Sequence, residues 1–233
     1  MAKRKAASYM TPGERVGGVI LFLIYLVVLP FVTDPFFNFC EGLLGANISE
    51  ALRSGIYYCV LFVACVIIFH KFLGRTTDNL GENLGPACQA VLVGLVGLYG
   101  LNVLLHRLGS LLISGAVNLN DTTISAQIDD APRFTFLIIV FLAPFVEEML
   151  FRGLVFGSLK GKSRAVAYVL SCLLFALAHV WSFAVGGVTL TRFWVLVQYL
   201  VPGFMLCWSY DRSGTLWTPV ALHALFNALA LWT

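Results

Sequence analysis

The chain has 233 residues, of which 59% are hydrophobic and only 12% are charged, and its formal net charge is +3. A soluble domain carries about 25% charged residues, so this composition, with a mean hydropathy of +0.88, excludes an ordinary water-soluble protein. The sequence has no basic patch interleaved with aromatic residues, and we expect no nucleic-acid partner. The expected surroundings are the lipid bilayer.

Seven apolar runs follow one another along the chain. A bilayer-spanning helix needs about 20 mostly apolar residues, and only helices or closed barrels satisfy the backbone inside lipid. Alternation with a period of two residues is absent. The sequence therefore predicts an all-α fold, a polytopic transmembrane helical bundle of about seven to eight spans. The seven runs are 17–32, 55–69, 87–105, 134–151, 165–181, 193–208 and 216–232.

The basic residues predict how the bundle is oriented. Cytoplasmic loops of membrane proteins carry an excess of Lys and Arg. Threading seven spans from a cytoplasmic N-terminus places ten basic residues inside and four outside. We therefore expect an integral multi-pass cell-membrane protein with its N-terminus in the cytoplasm. The inside set is Lys3, Arg4, Lys5, Arg15, Lys71, Arg75, Lys160, Lys162, Arg164 and Arg212, and the outside set is Arg53, Arg107, Arg133 and Arg192.

The chain has no internal repeat and is expected to form one integral membrane domain over residues 1–233. The longest connection, roughly 106–132, mixes an apolar stretch with an acidic, Ser/Thr-rich tail. It is expected to be an exterior loop, with a short interfacial helix or a lid as alternatives. The first three spans contain no ionisable residue. We therefore predict scaffold spans in 1–132 and catalytic spans in 133–233.

Polar side chains inside the predicted spans are few. A charge at the centre of a membrane helix costs from ~2.5 kcal/mol upward, so such residues normally face the bundle interior and mark function. The fourth span carries Glu147, Glu148 and Arg152, the fifth carries His179, and the seventh carries His223, with Asn227 as a strong hydrogen-bonding group. For any one of these three sites, a purely structural role is a reasonable alternative. The presence of all three in the same half of the chain favours a functional role.

Helical spacing gives each side chain a direction. Glu148 and Arg152 are four residues apart, so they share one helix face and can form an ion pair. Glu147 is rotated by about 100° from its neighbour and is free to face a reactant. Phe175 and His179 share the same spacing, which lets the phenyl ring pack beside the imidazole. His223 and Asn227 also lie on one stripe.

These residue types suit the hydrolysis of an amide by water. A carboxylate in an apolar cleft can act as a general base, and a histidine opposite can hold the same water. Two donors from another helix could receive the charge that develops on the carbonyl oxygen. The residues alone predict a buried polar site among three helices, with Glu147 as the reactive carboxylate and Glu148 in support.

Three motifs in order resemble a known family. They are EExxxR at 147–152, FxxxH at 175–179 and HxxxN at 223–227. The trio is similar to that of the CPBP family of intramembrane glutamic proteases, which includes the type II CAAX prenyl endopeptidases and the bacterial Abi or bacteriocin-processing proteins. The resemblance covers roughly residues 133–233. Some members have one span more than the seven predicted here, and a short or re-entrant segment in 106–132 would supply it.

The resemblance implies a role for each matching residue. Glu147 and His179 would activate water, and His223 and Asn227 would form the oxyanion site. Glu148, Arg152 and Phe175 would shape and support the cleft. The implied enzyme is an intramembrane endopeptidase that needs no metal or other cofactor. Its substrate would be a peptide or a lipidated peptide, either of the prenylated CAAX type or a leader or pheromone peptide. The sequence leaves the oligomeric state open.

Two alternatives use the same residues. Two histidines and two carboxylates are plausible zinc ligands, although no HExxH motif is present and Arg152 would repel a cation. A membrane protein without enzymatic activity, such as a bacteriocin-immunity protein, a scaffold or a transporter, could also bury Glu, Arg and His. A serine or GxGD aspartyl site is disfavoured, because the residues these sites need are missing.

Overall fold

The computed structural model describes residues 10–112, 119–184 and 190–231, and these form nine helices and no strand. The all-α prediction is therefore confirmed for the described residues. In chain order the helices are α1 (Pro12–Leu44), α2 (Glu50–Ile68), α3 (His70–Glu82), α4 (Leu84–Leu112), α5 (Leu119–Asp130), α6 (Pro132–Leu159), α7 (Arg164–Ala184), α8 (Leu190–Ser213) and α9 (Trp217–Ala230).

Among the described residues, five helices are long and apolar enough to cross a membrane, namely α1, α2, α4, α6 and α8. The predicted fifth run falls on α7, whose described apolar stretch is the shorter Arg164–Val180. The predicted seventh run falls on α9, whose 14 residues span only about 21 Å. The chain is thus a multi-pass helical membrane protein. The count of seven spans and the cytoplasmic N-terminus stay predictions.

The long predicted connection at 106–132 contains a helix. Residues up to Leu112 continue α4, and α5 follows from Leu119 to Asp130, while 113–118 lie outside the described residues. The Gln127 side chain donates a hydrogen bond to Ser54 Oγ at 2.9 Å. Thr135 Oγ1 donates to the Gln127 carbonyl at 2.8 Å. The end of α5 is therefore held against α2 and the start of α6.

Helix α6 lies at the centre of the bundle. Two thirds of its most apolar stretch is buried (67%), against 17–39% in the other four long helices. It packs against α1, α2, α7, α8 and α9. The outer helices instead expose large apolar side chains, such as Val96 at 76% and Leu43 at 71%. Those apolar side chains can face lipid at no energetic cost. The polar residues in the middle of α6 instead lie inside the bundle, where the other helices surround them.

Helix α6 contains two wide π-type segments, Ile138–Leu142 and Met149–Phe156. The first has a local cause. Pro144 has no backbone N–H, and its ring clashes with the carbonyl four residues earlier. The N–H of Ala143 donates five residues back, to the Ile138 carbonyl. The Ile139 carbonyl is thereby left without the main-chain donor that a regular helix would give it.

Two glycines let neighbouring helices approach α6 and α7 closely. A Cβ added to Gly55 of α2 would lie 2.2 Å from the Phe134 ring at the start of α6. A Cβ added to Gly203 of α8 would lie 3.3 Å from Cys172 Cα on α7. Because only glycine lacks a Cβ, these contacts bring α2 and α8 within side-chain reach of the polar residues.

The start of α9 is fixed by hydrogen bonds to α3. Thr215 Oγ1 donates to the Thr76 carbonyl at 2.8 Å, and the Leu216 N–H donates to Thr76 Oγ1 at 2.7 Å. Both threonines are buried. The polar α3, which no apolar run predicts, therefore holds the short helix that carries His223.

Candidate functional site

The side chain of Glu147 lies between two histidines. Its Oε2 is 3.7 Å from His179 Nε2 on α7 and 4.0 Å from His223 Nε2 on α9. Glu147 is only 4% exposed, and His223 is 8% exposed. Residues from three helices, separated by 32 and 44 positions in the chain, thus converge within 4.0 Å of one carboxylate oxygen.

The neighbouring carboxylate, Glu148, points to a different set of partners. Its Oε1 accepts a hydrogen bond from Arg152 Nη1 at 2.8 Å and lies 2.9 Å from His223 Nδ1. Glu148 and Arg152 are fully buried. The i, i+4 ion pair expected from the sequence is confirmed. A charge this deeply buried has to be paired, and Glu148 and Arg152 meet that need for each other.

Arg152 makes several contacts within the bundle. Besides the ion pair, its Nη2 donates to the Gly203 carbonyl at 3.1 Å, and its guanidinium lies 4.3 Å from the centre of the Phe175 ring. Phe175 also packs on His179, with ring centres 4.5 Å apart, as their spacing predicts. Arg152 and Phe175 therefore connect the Glu148 side of the site to the His179 side.

Hydrogen bonding assigns the protons of the two imidazoles. His179 Nδ1 is 2.8 Å from the Phe175 carbonyl, and a carbonyl oxygen can only accept, so Nδ1 carries the proton. In the neutral ring, His179 Nε2 then presents a lone pair towards Glu147. His223 Nδ1 likewise donates to the Glu148 carboxylate. His223 Nε2 becomes a donor only when the ring carries both protons.

Asn227 contacts α6 at a different place from His223. Its Nδ2 donates to the Ile139 carbonyl at 2.9 Å. In the wide segment before Pro144, that carbonyl receives no hydrogen bond from the main chain of α6. The Asn227 amide therefore donates to a carbonyl oxygen that would otherwise lack a donor. The sequence places Asn227 on the same stripe as His223. In the structure one of its two N–H groups is used to hold α9 against α6.

Sequence reasoning missed two tyrosines. Tyr58 of α2 donates from its hydroxyl to Glu147 Oε1 at 3.2 Å. Tyr199 of α8 stacks on His179, with ring centres 4.2 Å apart and planes inclined by 23°. Tyr199 lies in the middle of the apolar run 193–208, away from the membrane interface where tyrosine is usual, and this position was the available signal. The division into scaffold and catalytic halves stays a prediction, but α2 does contribute a polar contact.

The side chains around Glu147 can be compared with the ligands that a zinc site would require. In the described ranges, no three or more His, Cys, Asp or Glu side chains are grouped so that they could hold a metal ion. Glu148, one of the two carboxylates in the zinc alternative, accepts from Arg152 and lies 2.9 Å from His223 Nδ1. Whether the site works without a metal stays a prediction.

Comparison with known proteins gives a family match in the same region. Residues 130–229 match the family model of the type II CAAX prenyl endopeptidase Rce1-like proteins. The UPF0177 protein YxdF of Lactococcus lactis subsp. lactis (strain IL1403) is 33% identical over 91 residues. That alignment covers 39% of this chain and 44% of YxdF, so the match spans less than half of that relative.

A second relative aligns over more of the chain. YdiL of Bacillus subtilis (strain 168), whose name presents it as a candidate membrane peptidase, is 24% identical over 186 residues. The alignment covers 76% of this chain and 70% of YdiL. No solved structure matches the chain significantly. The family match contains every residue of the three motifs.

Proposed function

We propose that this chain is an intramembrane endopeptidase, from the premise that residues 130–229 carry an Rce1-like domain. The observation that supports the proposal most directly is the convergence of Glu147, His179 and His223 within 4.0 Å in a buried site. The reaction is the hydrolysis of a peptide bond by water. It uses the side chains of the chain itself, without a metal.

The nucleophile is a water held by Glu147 and His179. Glu147 Oε2 and the lone pair on His179 Nε2 are both acceptors, and 3.7 Å separates them. Two acceptors at this distance can share one water, because each of its two protons makes a hydrogen bond of about 2.8 Å. Glu147 takes one proton as the water attacks, and it later delivers a proton to the leaving amine.

Tyr58 positions the base for this step. Its hydroxyl donates to Glu147 Oε1, which leaves Oε2 directed at the two histidines. Tyr199 stacks on the His179 ring, and the Phe175 carbonyl accepts from Nδ1. These contacts keep the Nε2 lone pair on the side of the carboxylate. A preorganised base and water lower the entropic cost of reaching the transition state.

His223 and Asn227 stabilise the oxyanion. His223 donates from Nε2 in the form that carries both ring protons, and in that form the Glu148 carboxylate at Nδ1 would compensate its positive charge. Arg152 balances Glu148 in turn. Asn227 supplies its second N–H, since the first is used by the Ile139 carbonyl. Removal of one donor from an oxyanion site typically lowers kcat by about 10²–10³-fold.

The substrate class follows from the surroundings. A peptide bond that reaches a site buried among apolar helices comes from a membrane-associated peptide. Two classes fit: a prenylated peptide of the CAAX type, which the family name suggests, and a leader or pheromone peptide. A farnesylated CAAX peptide and the same peptide without lipid, offered to the purified protein, separate the two classes.

Comparative membrane proteomics tests the activity without assuming a substrate. Cells that express the wild-type protein are compared with cells that express Glu147→Gln at the same level. We expect uncut precursors to accumulate only in the variant. Identical precursor levels, together with an unchanged cellular effect of the protein, would instead favour a non-enzymatic immunity or scaffold protein.

A further inference from the structure

Helix α3 connects the beginnings of two other helices, α1 and α9. In its first turn, the Phe72 N–H donates to Glu14 Oε1 at 2.6 Å, and Arg75 Nη2 donates to Glu14 Oε2 at 3.0 Å. Glu14 is buried, and it also forms the capping box that begins α1, together with Thr11. The position of α3 is therefore fixed by α1 on one side.

One turn after Phe72, Thr76 contacts the start of α9. Its carbonyl accepts from Thr215 Oγ1 at 2.8 Å, and its hydroxyl oxygen accepts from the Leu216 N–H at 2.7 Å and lies 3.3 Å from Thr215 Oγ1. Leu216 is the fully buried N-cap residue of α9, and a leucine side chain cannot accept from the free N–H groups of a first turn. Thr76 thus supplies, from another helix, a hydrogen-bond acceptor that the sequence of α9 lacks.

His223 lies between two points at which α9 is hydrogen-bonded to other helices. It follows Leu216 by seven residues, which corresponds to about 10.5 Å and nearly two full turns, so both residues lie on one face of α9. It precedes Asn227 by four residues, and Asn227 Nδ2 donates to the Ile139 carbonyl at 2.9 Å. A displacement of the start of α9 would therefore be passed along the helix to the imidazole.

The imidazole of His223 tolerates little displacement. Its Nδ1 is 2.9 Å from Glu148 Oε1, and its Nε2 is 4.0 Å from Glu147 Oε2. A hydrogen bond to nitrogen is lost when the distance reaches about 3.6 Å. A shift of α9 by about 1 Å away from α6 would thus break the contact with Glu148 and move Nε2 away from the reacting atoms.

We propose that Thr76 is a positioning residue for His223, because its hydroxyl holds the start of α9 at the depth at which the imidazole reaches both carboxylates. The proposal rests on the proposed function of the site. Thr76 lies outside residues 130–229, the range of the family match. The geometry of the site therefore depends on a helix that the matched range does not contain.

The same substitution at two adjacent threonines tests this role. Thr76→Val keeps the shape of the side chain and leaves the buried Leu216 N–H without its acceptor. Thr77→Val is the matched control, because the Thr77 hydroxyl also accepts from α9, at 2.9 Å from Trp217 Nε1, but is exposed, so that water can replace it.

Peptide turnover by the purified full chain is the first measurement. We expect Thr76→Val to lower kcat by roughly tenfold to a hundredfold with little change of KM, since a small misplacement of a catalytic group has this effect. Thr77→Val should stay within about twofold of the wild type. Thr76→Ser, which keeps the hydroxyl, should restore most of kcat. Equal effects of Thr76→Val and Thr77→Val would overturn the proposal.

A double-mutant cycle determines whether Thr76 acts through His223. His223→Gln alone should lower kcat by about 10²–10³-fold. If Thr76 serves to place this imidazole, adding Thr76→Val to His223→Gln should change kcat by no more than about twofold. A further loss as large as that in the wild-type background would show that Thr76 acts independently of His223, and it would overturn the proposal.

A measurement without substrate separates this proposal from the proposed function. The four histidines are labelled with ¹⁵N, and the NMR signals of His223 are assigned by their absence in His223→Gln. We expect the Nδ1 signal, which reports the contact with Glu148, to shift in Thr76→Val and to stay in place in Thr77→Val. If Thr76→Val does not fold, Thr215→Val, which removes the donor to the Thr76 carbonyl, should shift the same signal.

The outcomes for the two proposals differ. An unchanged Nδ1 signal in the folded variant would overturn the positioning role of Thr76, even if the wild type cleaves peptides. A shifted signal in a protein whose wild type cleaves no peptide would support the placement of His223 by Thr76 and would contradict the proposed function instead.

Discussion

Replacement of Glu147 by glutamine separates the chemical role of this residue from its structural role. The amide has nearly the same shape as the carboxylate, and its oxygen can still accept from the Tyr58 hydroxyl, 3.2 Å away in the wild type. At the position of Oε2 the variant can place an NH₂ group, which donates. The water would then lose its proton acceptor on the side that faces His179 and His223.

The expected loss follows from the role of a general base. Such a group contributes about 10²–10⁴-fold to the rate, which corresponds to about 2.7–5.4 kcal/mol of activation free energy. Because the proton acceptor acts only as the reaction proceeds, kcat should fall by this factor while KM changes little. Thermal stability should stay near that of the wild type, since Glu147 forms no ion pair with a permanently charged residue among the described contacts.

The assay uses a quenched fluorescent peptide copied from a precursor that accumulates in the proteomic comparison. Turnover is measured in bicelles with protein that passes a thermal-unfolding check. Glu148→Gln is the matched control, because it makes the same chemical change one residue along the helix. It should lower the unfolding temperature, since it leaves Arg152 buried without a counter-charge. Turnover of Glu147→Gln within about threefold of the wild type would refute the assigned mechanism.

Three further predictions concern the residues around this pair. Arg152→Gln should destabilise the protein by about 3–5 kcal/mol, measured by denaturant unfolding, because the buried Glu148 carboxylate then loses its permanently charged partner and keeps only the contact with His223. Tyr58→Phe should lower kcat about tenfold through the loss of one hydrogen bond to a charged group; an unchanged kcat in a folded protein would remove Tyr58 from the mechanism. Incubation with a strong chelator, followed by elemental analysis, should leave peptide turnover unchanged in metal-free protein, and recovery of a lost activity by added zinc would support the metal alternative.

The structure agrees with the sequence where a single helix determines the outcome. The Glu148–Arg152 ion pair and the packing of Phe175 on His179 both follow from i, i+4 spacing, and both are present. The different directions of the two carboxylates, Glu147 towards His179 and Glu148 towards Arg152, also follow from the angle between adjacent residues. Helical geometry is local, so these relations hold whatever the neighbouring helices do.

The partners from other helices could not be derived in the same way. The sequence treats His223 and Asn227 as two donors for one oxygen, but His223 Nδ1 donates to Glu148 and an N–H of Asn227 donates to Ile139. The second contact exists because Pro144 and the wide segment before it release a carbonyl. A regular helix, which the sequence interpretation assumes, would have left no acceptor there.

The sequence by itself determined the membrane class, the helical fold and the residues that can carry chemistry, because composition and the 3.6-residue period act along the chain and need no knowledge of packing. The tertiary structure decided how those residues meet. Close approach at Gly55 brings Tyr58 to Glu147, and contacts through Gly203 bring α8 to Arg152. Such contacts depend on the distances and rotations between packed helices, which no single stretch of sequence encodes.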